Sequence, residues 1–178
     1  MISSPGPLLK TMNFKLRQWA LSDLHSLVQH ANNDKVAQYL RDTFPHPYTH
    51  EDGQKYIQSV FQENPVQTFA IDVSGQAVGS IGIYPQSDIH RKNAEIGYWL
   101  SEQYWGQGIM VKAIREIVDY GFSTFDIIRI FARPFSVNTQ SQKALIKAGF
   151  QKDATFPKAI FKNKIFFDET YFSVYRPG

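Results

Sequence analysis

Tyr104-Trp105-Gly106-Gln107-Gly108-Ile109-Met110 separates a strand-like run from an amphipathic helix, and the reading of this stretch decides the fold. Two glycines two residues apart let the backbone turn tightly and approach a ligand closely. The helix behind them presents unpaired N–H groups at the positive end of its dipole. That combination can cradle a phosphate, and by itself it also fits an ordinary strand-to-helix turn.

Working outward, Met110, Ile114, Ile117 and Val118 line one face of a helix over 108–122, while Lys112, Arg115, Glu116 and Asp119 line the other. Before the turn, Asn93 to Leu100 reads as a strand. Val66 to Val73 and Gln76 to Tyr84 form a hairpin at Ser74-Gly75. Further upstream lie a leader over 1–11, a strand around Phe14 to Gln18, and a helix capped by Ser22. A short helical piece from Lys35 to Arg41 follows, and then a helix over 50–63 capped by Thr49. The prolines of Thr43 to Tyr48 make that segment irregular. Downstream, Ile127 to Arg133 is strand-like, Asn138 caps a helix that Gly149 ends, and two aromatic strands turn at Lys162-Asn163-Lys164. No repeat or linker interrupts the chain, so one domain over 12–176 is expected.

Composition narrows the function. At 178 residues, 43% hydrophobic and 15% aromatic, the chain can bury a good core within one domain. The absence of cysteine excludes disulfide scaffolds, thiolate metal sites and a cysteine nucleophile. A net charge of +3 without a dense basic block suits an anionic small ligand and does not call for nucleic acid. His46 and His50 straddle Pro47 and have no acidic companion, so no metal is expected. No segment reads as a signal peptide or membrane span, and a cytoplasmic protein is the expectation.

Glu95-Ile96-Gly97-Tyr98-Trp99-Leu100, the Tyr104 to Gly108 turn, and Asn138-x-x-Ser141 leading to Lys147-Ala148-Gly149-Phe150 occur in this order. Together they resemble the Gcn5-related N-acetyltransferases, within them the branch acting on N-terminal amines of ribosomal proteins, with relatives acting on polyamines and antibiotics. Pro47-Tyr48-Thr49-x-Glu51-Asp52 through Tyr56-Ile57 adds to the likeness, which covers about residues 12 to 176. It implies an α+β, three-layer (α/β/α) domain whose mixed, mostly antiparallel sheet of about seven strands is flanked by about four helices.

The resemblance further implies acetyl-CoA as co-substrate. Its pantetheine arm would pair with strand backbone over Ile96, Gly97, Tyr98, Trp99 and Leu100. The pyrophosphate would sit on the loop Trp105, Gly106, Gln107, Gly108, Ile109 and Met110. Asn138 and Ser141 would reach the pantetheine from the other side, and Lys143 would face the ribose phosphate. An amine acceptor, small molecule or protein N-terminus, would attack the thioester directly. Glu95 is the candidate base, because an alkyl ammonium must first lose a proton. Many members carry a thiol-protonating tyrosine where this chain has Leu145, so Ser141 becomes the candidate proton donor. The aromatic loop Phe44 to Tyr48 and Tyr84 are expected at the acceptor pocket. Leu145 and the bulky Met110 leave a non-catalytic acyl-CoA-binding module as the alternative. Neither nucleic acid nor membrane is an expected partner, and the protein would be a monomer or homodimer.

Overall fold

The computed structural model describes residues 13–178, so the leader expected over 1–11 lies outside the described residues. Seven strands form one sheet: β1 (Phe14–Gln18), β2 (Thr68–Val73), β3 (Gln76–Pro85), β4 (Asn93–Leu100), β5 (Arg129–Ala132), β6 (Gln151–Lys162) and β7 (Ile165–Tyr175). Their order is β1-β2-β3-β4-β5-β7-β6, antiparallel throughout except where β4 meets β5. Five helices accompany them: α1 (Leu24–Ala31), α2 (Asp34–Ala37), α3 (His50–Val60), α4 (Ile109–Thr124) and α5 (Thr139–Lys147).

Local chemistry explains most of these boundaries. Ser74 and Gly75 both take positive φ, the conformation of a tight hairpin turn whose twist matches its strands, and the Asp72 carboxylate accepts the Gly75 N–H at 2.8 Å. Asn163 and Lys164 make the equivalent turn between β6 and β7. Thr49 caps α3 reciprocally with Asp52, as expected of a threonine followed three residues later by a carboxylate. Two expectations shift. Ser22 does not cap a helix; a 3-10 turn over Leu21–Asp23 comes first, and the Asp23 carboxylate accepts the Ala20 N–H at 2.9 Å. The piece expected over Lys35 to Arg41 contracts to the single turn of α2, which begins earlier because the Asn33 side chain caps it.

Two apolar clusters sandwich the sheet. One holds Ile81, Ile83, Ile96 and Phe172 against Ile114 and Ile117 of α4 and Leu145 of α5. The other holds Trp19, Ala70 and Trp99 against Leu27 of α1 and Ile57 of α3. Alternation along β4 therefore sends Ala94, Ile96, Tyr98 and Leu100 to the α4 side and Glu95, Gly97 and Trp99 to the α1 side.

Candidate active site

The pairing of β4 with β5 covers only Asn93, Ala94 and Glu95. Beyond Glu95, β4 keeps its antiparallel partner β3 but has no strand on the other side. Ser101 donates to Val78 and Gln86 donates to Asn93, which places the odd-numbered residues of β4 in the hydrogen-bonded pairs with β3. The backbone groups of Ile96, Tyr98 and Leu100 thus face the gap. The Leu100 carbonyl accepts the Trp105 indole N–H at 2.7 Å, leaving Ile96 and Tyr98 to offer a ladder edge to an extended ligand.

The gap leads to the glycine turn. Gly106 (φ 74°) and Gly108 (φ 76°) are both left-handed, and Gly108 is the N-cap of α4 with no side chain covering the helix end. Among the described residues the N–H groups from Gly106 to Val111 make no intramolecular hydrogen bond. Such a row is suited to an anion of several oxygens. Met110 packs against the core, so its bulk is turned away from this row. Trp105 anchors the loop through its ring and its N–H, and Gln107 donates its side-chain amide to the Gln103 carbonyl at 3.0 Å.

On the α4 side of the gap, the Asn138 side-chain carbonyl caps α5 by accepting the Ser141 N–H at 3.1 Å. The Ser141 hydroxyl is therefore not spent on the helix end; it pairs at 2.8 Å with the Tyr98 hydroxyl. Burial pushes the Tyr98 phenol well above its ordinary pKa, only partly offset by Ser141, so it stays protonated. Leu145 is fully buried in the core, and Lys143 is exposed on the outer face of α5.

Glu95 lies on the opposite face. Its Oε1 accepts from Arg41 Nη2 at 2.8 Å and Arg133 Nε at 3.1 Å, and its Oε2 accepts from Arg133 Nη2 at 2.9 Å. Arg133 also donates to the Tyr171 hydroxyl at 3.3 Å and lies over that ring. Burial works against its charge, but the bonds to Glu95 and Tyr171 outweigh this and hold it more firmly protonated than a free arginine. Glu169 stands near the same cluster with its pKa raised by burial, lowered by Arg133 and raised again by Glu95. Tyr84 registers opposite Glu95, and its ring lies over Gly82, where an added methyl would collide with it. Tyr48, by contrast, is buried, and Phe44 packs against Tyr48 and Trp99 in the α1-side core.

The sequence profile of the acetyltransferase (GNAT) domain matches residues 13–151. The chain belongs to the GNAT acetyltransferase family. The chain is 29% identical to the uncharacterized N-acetyltransferase YoaA of Bacillus subtilis, over 96% of this chain and 98% of the relative. It is 31% identical to the uncharacterized N-acetyltransferase p20 of Bacillus licheniformis, over 82% and 83%. Among solved folds, RimL, a ribosomal L7/L12 alpha-N-protein acetyltransferase in complex with coenzyme A, superposes with a TM-score of 0.78 at 22% identity, over 91% of this chain and 93% of RimL. As a GNAT N-acetyltransferase the chain uses acetyl-CoA as its donor. The uncommitted N–H row could hold an anion of several oxygens, and the open edge at Ile96 and Tyr98 could pair with an extended chain of amides. Among the described residues no cluster of metal-ligating side chains occurs, and no helix is long and apolar enough to cross a membrane.

The GNAT motifs did not point to Arg41, Arg133, Tyr171 or Glu169. Arg41 lies beyond the end of α2 in an irregular segment, where the sequence predicts the end of a short helical piece, and Tyr171 and Glu169 reach the cluster only because β7 inserts between β5 and β6. Tyr98 carried a readable signal. A tyrosine in the inward register between Ile96 and Leu100 needs a partner for its hydroxyl.

Proposed function

We propose that this GNAT domain transfers the acetyl group of acetyl-CoA directly to a primary amine, a protein N-terminal amine, a polyamine or another small amine. The observation that carries this reading is the two-sided gap after Glu95, with hydroxyls on one face and a carboxylate on the other. Acetyl-CoA supplies a thioester carbonyl open to attack. The N–H groups of Gly106, Gln107, Gly108, Ile109 and Met110 hold its diphosphate, with Trp105 bracing the loop. The strand from Ile96 through Gly97, Tyr98 and Trp99 to Leu100 aligns the arm, and the Asn138 amide and Ser141 approach from α5, with Lys143 toward the ribose phosphate.

Attack from the Glu95 face expels the thiolate toward the Ser141 face. Separate groups can then accept the ammonium proton and return one to sulfur. In this reading Glu95 accepts the proton, directly or through water, and the Ser141 hydroxyl, backed by Tyr98, donates to sulfur. N–H groups of Ile96 and Tyr98 oppose the negative charge that grows on the carbonyl oxygen. The reading places the domain over 12–176 and the protein in the cytoplasm.

Purified protein incubated with acetyl-CoA and a panel of amines and N-terminal peptides should release free thiol. Silence across the panel despite measured CoA binding would overturn the enzyme reading. Glu95→Gln separates the roles: kcat should fall on the order of 10²-fold with CoA affinity intact, and unchanged turnover removes Glu95 as base.

A further inference from the structure

We infer that the acceptor is a primary amine carrying an anionic group a few bonds away, and that it is admitted by an ion-pair exchange in which Arg41 leaves Glu95 for that anion. The inference rests on the acetyltransferase reading above and specifies its substrate.

The two arginines on Glu95 are held very differently. Arg133 is fixed by two bonds to the carboxylate and one to Tyr171, with its side chain 30% exposed. Arg41 makes one bond, of 2.8 Å, and its side chain is 70% exposed. A guanidinium offers five N–H donors, so most of those on Arg41 are unspent beside Glu95. An exposed single contact of this kind is weakly held and readily exchanged. Arg41 does not hang on a loose loop, however. Lys162, at the tip of the β6–β7 hairpin, donates to the Leu40 carbonyl at 2.6 Å, and Tyr39 packs on Phe135 at 5.6 Å between ring centres. The backbone on the N-terminal side of Arg41 is therefore pinned to Lys162 and Phe135 while its side chain, held by one exposed contact, remains free to swing.

The arrangement of charge selects the occupant. Glu95, the carboxylate nearest the open strand edge, has both oxygens taken by guanidinium groups. Glu169 makes no ion pair among the described residues, and it stands close enough to feel Arg133, Glu95 and Arg41. A polyamine would need several unspent carboxylates and would bring its charges against two arginines. A neutral-tailed amine would have to displace Arg41 from Glu95 and leave both charges poorly paired. An acceptor with an ammonium and an anion replaces each broken contact with a like one. Its carboxylate or phosphate takes the guanidinium of Arg41, and its ammonium takes the vacated place at Glu95 Oε1, where the proton must go. Discrimination thus comes from what the wrong amine leaves unpaired.

Matched amines test this. With acetyl-CoA, phenylalanine against phenethylamine reads a carboxylate, O-phosphoethanolamine against ethanolamine reads a phosphate, and spermidine reads a polycation. The anionic member of at least one pair should exceed its neutral partner in kcat/KM by roughly tenfold to a hundredfold, the scale of one charged hydrogen-bonded contact. Arg41→Gln should abolish that preference by raising KM for the anionic amine, with CoA affinity unchanged. Calorimetry of the same amines on CoA-saturated protein gives a readout independent of turnover and should show the same ranking. Equal handling of both members of both pairs, or a preference for spermidine, overturns the inference while leaving the acetyltransferase reading intact. A uniform loss on all amines in Arg41→Gln would make Arg41 merely structural and also overturn it. If no amine is acetylated, the acetyltransferase reading fails, and the calorimetric ranking still decides the charge preference.

Discussion

At the residue scale, Ser141 shows how one hydrogen bond frees another. A serine in the first turn of a helix ordinarily spends its oxygen on an N–H group. Here Asn138 performs that duty, and the Ser141 hydroxyl is left with Tyr98 as its partner at 2.8 Å. Tyr98 is kept protonated by burial, so the pair has a proton available to the gap beside β4. Ser141→Ala should lower kcat on the order of 10²-fold with little change in KM for acetyl-CoA, whereas Ser141→Thr should retain most of the activity. Steady-state kinetics on the three proteins checks this, and an alanine variant with wild-type kcat would exclude the hydroxyl. The sequence disclosed Ser141 and Asn138 through their spacing. It hid the fact that Glu95 is tied on both oxygens, because Arg41 and Arg133 lie 54 and 38 residues away and meet it only after the sheet has formed.

At the element scale, the junction of β4, the glycine turn and α4 builds the proposed donor site. Its helix, its strand and its turn were all readable, since periodicity and glycine placement are local properties. The family resemblance implies an open edge along β4, but that the β4–β5 pairing ends at Glu95 was not readable, because it depends on where β5 stops and on β7 returning to pair with β5 from the far side. Gly108 is the test of the junction. A methyl added there meets nothing within 4 Å, so the cost of Gly108→Ala is conformational rather than steric. At φ 76° an L-residue is disfavoured by about 1–2 kcal/mol. Urea unfolding should show a loss of that size, and CoA affinity should fall as the first turn of α4 relaxes away from its left-handed cap. A variant with unchanged CoA affinity would show that the N–H row holds without this cap. The same substitution at exposed Gln107 lacks this backbone argument.

At the scale of the whole molecule, the α1 layer and the proposed donor site are joined through His30. It is buried on α1, its Nδ1 lies 3.0 Å from the Ser101 hydroxyl at the end of β4, and its ring meets that of Tyr104 edge-on. Its Nε2 is buried without a hydrogen bond of ordinary length, so a second proton there would be compensated only in part, by the nearby Gln76 side chain. Burial lowers the His30 pKa below the ordinary 6.5, and the Gln76 side chain offsets this only in part. The sign of the linkage follows: as pH falls through about 6.5 the unfolded chain takes up the proton before the folded chain does. The stability contributed by neutral His30 is complete above that value and is lost as pH falls toward the folded pKa. His25, His46, His50 and His90 are exposed. Urea midpoints should therefore decline between pH 7.5 and 5.5, and His30→Gln should flatten that decline whatever its effect on absolute stability. Because Ser101 and Tyr104 lead directly into the glycine turn, CoA affinity should weaken over the same interval in the wild type and not in the variant. A pH-independent midpoint in the wild type, or an equal decline in His30→Gln, would remove His30 as the group that couples the two layers.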